Sequence, residues 1–239
     1  MSKRKVWLGM KLNPIAENIW VIEHPFEVMK VKMGTRTTVV RLSNGGLWLL
    51  SPGSGLGALQ AELEALGPVE ALVAPNTMHH LFLPEAARLF PEAKVYGPTG
   101  LKRKQPSLAI ESLQPEAPAL WAEDIQQLRL EGLSFLQETV FFHVSSKTLI
   151  LTDLAFNLQH SEHAWSRLFL RLNDAYGKFG PSRMLRKMAL KDPVALGQSL
   201  EQVLQWDFET IVMAHGELVQ NQAKKRMQDA FSRLEILKS

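Results

Sequence analysis

Seven histidines and a few carboxylates carry the chemical capacity of this 239-residue chain, and it has no cysteine. His79 and His80 follow the apolar run Leu72-Val-Ala-Pro, Asp153 follows Leu149-Ile-Leu-Thr, and His215-Gly216 follows Ile211-Val-Met-Ala. Each group stands just past an apolar strand, where a sheet fixes the backbone and the next loop is free to shape a site. Imidazole and carboxylate together suit Zn²⁺, Fe²⁺ or Mn²⁺. The lack of cysteine excludes thiolate zinc sites, iron–sulfur clusters, disulfide frameworks and a cysteine nucleophile. Each residue also has an ordinary use: His79 and His80 as polar residues capping a helix, His215 as a core histidine bonded to backbone, Asp153 as a turn residue or helix N-cap.

The other polar candidates weigh less. His160 and His163 share a helical face at i and i+3, but Glu162 between them completes no known motif, so a surface or packing role is expected. His143 lies inside Val140-Phe-Phe-His-Val and alternates away from Phe142, which favours a structural role. Glu138, at the start of that strand, is the better candidate for a site acid or base. Lys102-Arg-Lys104 reads as a solvated loop. Gly53 and Gly55 could cradle an anion, although a tight turn accounts for them equally well. Dinucleotide, phosphate-loop and nucleophile-elbow motifs are absent from the sequence.

These residues must be positioned by a mixed α/β frame. Ile19-Trp-Val-Ile and Thr35–Leu42 read as strands, and Asn44-Gly45-Gly46 is a hairpin signal before Leu47-Trp-Leu-Leu. Residues 47 to 97 read β-α-β-α-β, the helices lying at Leu56–Leu66 and Leu83–Phe90. Residues 99 to 123 are loop-like. From Ile125 a β-meander returns, through Gln127–Leu130, Thr139–Val144 and Lys147–Thr152. Residues 154 to 205 read as mostly helical with a break at Gly177–Pro181, and Asp192-Pro193 is an N-cap followed by proline at the first helical position. A strand at Thr210–Met213 and an amphipathic helix at Asn221–Leu237 close the chain.

Composition sets the outer bounds. Hydrophobic residues are 46% and charged residues 21%, the globular norm, so disorder is excluded as the main state. The length gives a prior of one to two domains and is enough to bury a large core. The net charge is +3, from 27 basic and 24 acidic side chains, which is weak evidence for nucleic acid. The N-terminus starts like a signal peptide, but its apolar run stops at Lys11, too short for that purpose. No stretch approaches 18 apolar residues, so none spans a membrane. A cytoplasmic location, with neither nucleic acid nor membrane as partner, is the default expectation.

The order of these elements, with Leu-Thr-Asp153 and Met-Ala-His215-Gly216, resembles the metallo-β-lactamase superfamily, to which glyoxalase II and lactonase-type hydrolases belong. More closely, it resembles an uncharacterised bacterial branch known as a domain of unknown function. The resemblance runs from about Ile19 to the final helix. It implies an αββα four-layer sandwich over residues 1–239 as a single domain, with a helical insert at about 154–205. In the active family a Thr-His-x-His-x-Asp-His loop follows the strand occupied here by Leu72-Val-Ala. Matching that loop by spacing places Pro75 and Thr77 on the first two histidines, His79 on the aspartate and His80 on the last histidine. Asp153 falls on the bridging aspartate and His215 on the final histidine. A further histidine is expected near Phe135, where the nearest polar residue is Glu138, and Ser51 stands at a supporting aspartate.

The first of the family's two metal positions is therefore lost, while the second is kept or replaced by metal-competent groups. The resemblance implies one divalent metal on His79, His80, Asp153 and His215, zinc first with iron or manganese as alternatives. His79, Asp153 and Glu138 are the candidate catalytic groups, His79 as a ligand or proton shuttle. Four closed ligands on zinc would read as structural, whereas catalysis needs an open position. The implied activity is hydrolysis of an ester, lactone, thioester or phosphodiester by a metal-activated water. The insert, with Phe156, Trp165, Phe169, Tyr176 and Phe179, would form a wall for an apolar small-molecule substrate or a partner. The alternative is a catalytically silent binding module of the same fold, its metal structural or absent.

Overall fold

The computed structural model describes residues 10–233 and 236. Most of the leader-like start, residues 1–9, and the end of the expected final helix, residues 234–235 and 237, lie outside the described residues.

Strand periodicity builds the architecture. The first sheet contains β1 (Asn13–Ala16), β2 (Ile19–His24), β5 (Thr35–Arg41), β6 (Leu47–Leu50), β7 (Val69–Val73), β8 (Lys94–Gly97) and β9 (Ile110–Ser112), in that spatial order. A small hairpin of β3 (Glu27–Val28) and β4 (Val31–Lys32) stands apart from it. The second sheet contains β10 (Ile125–Arg129), β11 (Thr139–His143), β12 (Thr148–Ile150) and β13 (Thr210–Val212). The pairs β6·β7, β7·β8, β8·β9 and β12·β13 are parallel.

Side-chain alternation divides each sheet between two cores. Leu47 and Leu49 of β6 pack outward with Leu72 under α1 (Gln60–Leu66) and α2 (Leu83–Leu89), while Trp48 and Leu50 pack inward. Phe141 of β11, Ile150 of β12 and Val212 of β13 meet them from the second sheet. Their neighbours Phe142, Leu149 and Ile211 face the opposite way, with Leu196 and Leu200 of α5 (Pro193–Val203) and Met227 and Phe231 of α6 (Ala223–Ser232). Three core clusters thus separate four layers, helix, sheet, sheet and helix, as the resemblance implies. The middle core is held by Trp48, which meets Trp121 and Phe141 edge-on at 6.2 and 5.0 Å.

Two stretches depart from the sequence reading. Residues 99–123 hold the short helix α3 (Leu101–Lys104) and β9, so they are not loop alone. The stretch 154–163 is not helical, because its backbone pairs elsewhere: Phe156 bridges to Gly180 and Asn157 to Gly216. Helix begins only at α4 (Ala164–Leu172), followed by a π-helical turn at Leu185–Ala189 and by α5. Asp192 does cap α5, its carboxylate accepting from the Val194 and Ala195 amides, with Pro193 at the first position. Among the described residues no helix is long and apolar enough to cross a membrane.

Candidate metal centre

The parallel strands β6 and β7 of one sheet, and β12 and β13 of the other, deliver the site residues from their C-terminal ends. Ser51 follows β6, His79 lies in the turn after β7, Asp153 follows β12 and His215 follows β13. Asp153 sits between the two imidazoles. His79 Nε2 is 3.3 Å from its Oδ2, and His215 Nε2 is 3.6 Å from its Oδ1. One donor atom from each of the three lies within 4.8 Å of the others, close enough to hold a metal ion.

The outer nitrogens are tied down, which fixes how the inner ones can act. His215 Nδ1 is 2.7 Å from the Gly34 carbonyl, an acceptor only, so this nitrogen carries the proton. In the neutral ring, Nε2 then presents a lone pair towards Asp153. His79 Nδ1 is 2.5 Å from Ser51 Oγ, which leaves its Nε2 the same role when Nδ1 donates. Such outer bonds are what orient ligating imidazoles in metal sites. Phe156 stacks on the His215 ring at 5.3 Å and Phe26 lies 6.1 Å away, so apolar surface shields one side.

Charge and burial oppose one another here. Burial alone pulls the His79 pKa down, but the charge of Asp153, its hydrogen bond and the charge of Glu138 outweigh it and raise the value. Burial pushes Asp153 up, and the two imidazoles reverse that, holding the carboxyl well below its usual range. Burial, then the charge of Asp153, raises Glu138 against the bonds from Thr152 and Leu154. An anionic Asp153 flanked by two imidazole nitrogens is a donor set that fits a divalent cation.

His80 is not part of this cluster, which corrects the four-ligand expectation. Its Nδ1 accepts from Gln105 Nε2 at 2.9 Å. The turn itself is the reason. Asn76 Oδ1 accepts from the Met78 and His79 amides at 2.8 and 3.0 Å, which aims His79 inward, and the next residue points elsewhere. Burial, then Lys104, lowers the His80 pKa.

Glu138 is the second correction. It has no exposed surface, and both of its oxygens are engaged. Oε1 accepts from the Thr152 amide and hydroxyl, each at 2.9 Å, while Oε2 accepts from the Asp153 amide at 3.1 Å and from Asn76 Nδ2 at 3.5 Å. Glu138 anchors the Asp153 loop instead of meeting a substrate. Of the other histidines, His143 bonds to Ser146 and Ser145 hydroxyls within its hairpin, and His160, almost fully exposed, lies 3.9 Å from Glu217.

Two residues escaped the sequence reading. Asn76 is fully buried, and its Nδ2 donates to Asp153 Oδ2 at 2.9 Å and Thr152 Oγ1 at 3.0 Å. Arg36 is also buried, and donates to the Met213 and Gly216 carbonyls at 2.5 and 2.8 Å on either side of His215. The available signal for Asn76 was an amide three residues past the end of a buried strand. For Arg36 it was a charge within an otherwise β-branched, apolar strand.

The cluster floors a groove of about 430 Å³. Phe26, Met33, Phe82, Phe135, Phe169 and Met188 are among its walls, so the site is a polar spot in an apolar channel. Of the aromatic residues expected to form a wall, Phe156 and Phe169 line this groove, while Phe179 lines a different pocket, beside Arg226.

The family model described as domain of unknown function DUF4336 matches residues 16–168. The chain belongs to that family. No curated protein matches it. Among solved structures it is similar to a metallo-β-lactamase from Pontibacter korlensis, with a TM-score of 0.65 at 12% identity, covering 94% of this chain and 99% of that one. A metallo-β-lactamase from Hirschia baltica gives 0.63 at 9% identity, covering 93% and 97%. A metal-soaked Flv1 flavodiiron core from Synechocystis sp. PCC6803 gives 0.66 at 11% identity, covering 94% of this chain and 60% of that one. At such low identity these likenesses establish the fold, which is that of the metallo-β-lactamases, and this member carries a His-Asp-His group able to hold a metal.

Proposed function

We propose that the chain is a single-metal hydrolase that acts on an apolar ester, lactone, thioester or phosphodiester. The observation that carries this reading is the convergence of His79, Asp153 and His215 on the floor of the apolar groove. Three protein donors, not four, correspond to an open coordination position, the arrangement of catalytic zinc sites. A bound divalent ion would supply a water acidified towards neutrality and a Lewis acid for the scissile oxygen. His79, Asp153 and His215 would hold it, with zinc, iron and manganese all compatible with the donor set. Ser51 and the Gly34 carbonyl fix the two rings, and Asn76 holds Asp153 in place. The Phe and Met walls exclude water and bind the apolar part of the substrate.

A binding module without catalysis is the second reading. It is favoured by the bond from Asn76 to Asp153, which satisfies one oxygen of that carboxylate without a metal. Elemental analysis separates the two. The hydrolase reading expects about one equivalent of metal in the wild type, the same in His80→Ala, and loss in His79→Ala/His215→Ala. The metal-loaded protein should then cleave aryl esters of aliphatic acids, while the double variant does not. Metal far below stoichiometry after reconstitution overturns the hydrolase and leaves the binding module.

A further inference from the structure

We propose that the face around the groove mouth docks on an anionic phospholipid bilayer, lying on the surface without crossing it. The sequence alone led to an expectation of no membrane partner; the placement of the side chains argues otherwise. Helix α4 presents Trp165, Leu168 and Leu172 at i, i+3 and i+7, one stripe along the helix, and each is at least half exposed. Its opposite side is fully used: Leu170 packs on Val31 and Phe156, and Ser166 Oγ accepts from the Lys32 amide. The exposed stripe continues beyond the helix. Trp165 Nε1 donates to the Met29 carbonyl at 3.4 Å, and Asn173, at the end of α4, accepts from the Met184 amide at 2.8 Å. Met29, Met184 and Met188 are themselves at least half exposed and line the groove. The apolar rim thus adjoins the groove, and exposed apolar residues clustered in this way, not scattered singly, mark an interaction surface.

Charge identifies the occupant. Between residues 164 and 191 there are seven basic side chains and one acid, Asp174, whereas the rest of the chain has twenty basic and twenty-three acidic. The chain's positive charge is therefore concentrated on this segment. Arg171, Arg183 and Lys187 are exposed on it, and Lys30 and Lys32 flank Met29 from the neighbouring hairpin. Exposed Trp, Leu and Met interleaved with Arg and Lys is the composition of a segment lying at an anionic interface. A nucleic acid would use the cations but leave the apolar rim in water. A second copy of the chain would bring like charges together.

The test is flotation of the full-length protein with vesicles of phosphatidylcholine, with and without phosphatidylglycerol. The protein should float with the anionic vesicles and not with phosphatidylcholine alone, and high salt should weaken the association. Leu168→Asp/Leu172→Asp should lower partitioning by more than about tenfold, because both side chains lose their burial in the interface. Arg171→Glu/Arg183→Glu should lower it by roughly tenfold or more and remove most of the salt dependence. All four positions are exposed, so circular dichroism should show both variants folded. Vesicle binding needs no metal, so His79→Ala/His215→Ala should float like the wild type, and this result stands apart from the fate of the hydrolase reading. Failure to float with anionic vesicles overturns the proposal. So does equal flotation by the leucine variant, binding to an oligonucleotide without binding to vesicles, or a dimer in solution that the leucine variant abolishes.

Discussion

His79 and His215 are oriented by different means, and the difference has a measurable consequence. His215 leans on a backbone carbonyl, which no substitution at Gly34 would remove. His79 leans on the hydroxyl of Ser51, whose backbone has φ 54°, a left-handed conformation uncommon for a residue with a Cβ. Ser51→Ala keeps that backbone and deletes the acceptor. Metal affinity should fall about ten- to hundredfold, with one equivalent still bound at saturation, as read by competition with a chromophoric chelator. At this scale the sequence revealed the elements' ends more readily than side-chain directions. Asp153 and His215 follow apolar strands and could be read as site residues. Which of two adjacent histidines turns inward depends on the Asn76 turn, and an amide closing a turn has no motif of its own. Glu138 stood at a plausible place for an acid, but its buried bonds to Thr152, Asp153 and Asn76 form only when two strands and a turn come together.

One strand carries a charge that ties the two sheets together. Arg36 on β5 of the first sheet holds the loop after β13 of the second through the Met213 and Gly216 carbonyls, and also pairs with Glu23. Gly216 permits this loop to close. Its φ is +98°, and a Cβ there would lie 2.3 Å from the Asn157 backbone. Arg36→Leu takes the donor from the buried Met213 carbonyl and the part-buried Gly216 carbonyl and should cost about 3 kcal/mol, a fall in Tm of roughly 6–12 °C. Glu23 is more than half exposed, so Glu23→Gln should cost less than about 1 kcal/mol. Thermal denaturation of both variants distinguishes a tie between sheets from a surface ion pair. The strands themselves were legible because their alternation survives in the sequence. The stretch 154–163 was not, because its backbone partners, Gly180 and Gly216, are distant in the chain.

Stability against pH belongs to the whole molecule, because groups in different layers pull in opposite directions. Burial lowers the pKa of His24, against the opposing bond to the Ser54 carbonyl. Its ring is wedged beside Gly53, and Nε2 lies 2.8 Å from Thr37 Oγ1. In the unfolded chain this histidine takes up a proton near its ordinary value of about 6.5. Folding is thus favoured above that pH, and the contribution is lost as pH falls through 6.5 towards the lowered folded value. His79 has the opposite sign: its pKa is raised, so its contribution is full below about 6.5 and is lost as pH rises through the folded value. Glu138, also raised, likewise disfavours folding as pH rises from the ordinary carboxyl range. The wild-type slope is therefore a difference between opposing contributions, and a single substitution isolates one of them. Glutamine at position 24 keeps a donating amide beside the Ser54 carbonyl and the Thr37 hydroxyl but takes up no proton. The Tm of His24→Gln relative to wild type should accordingly rise as the pH is lowered from 8 towards 5.5. A difference that stays constant across that range would mean that His24 is protonated as readily in the fold as in water, and that its burial beside Gly53 exerts no electrostatic cost.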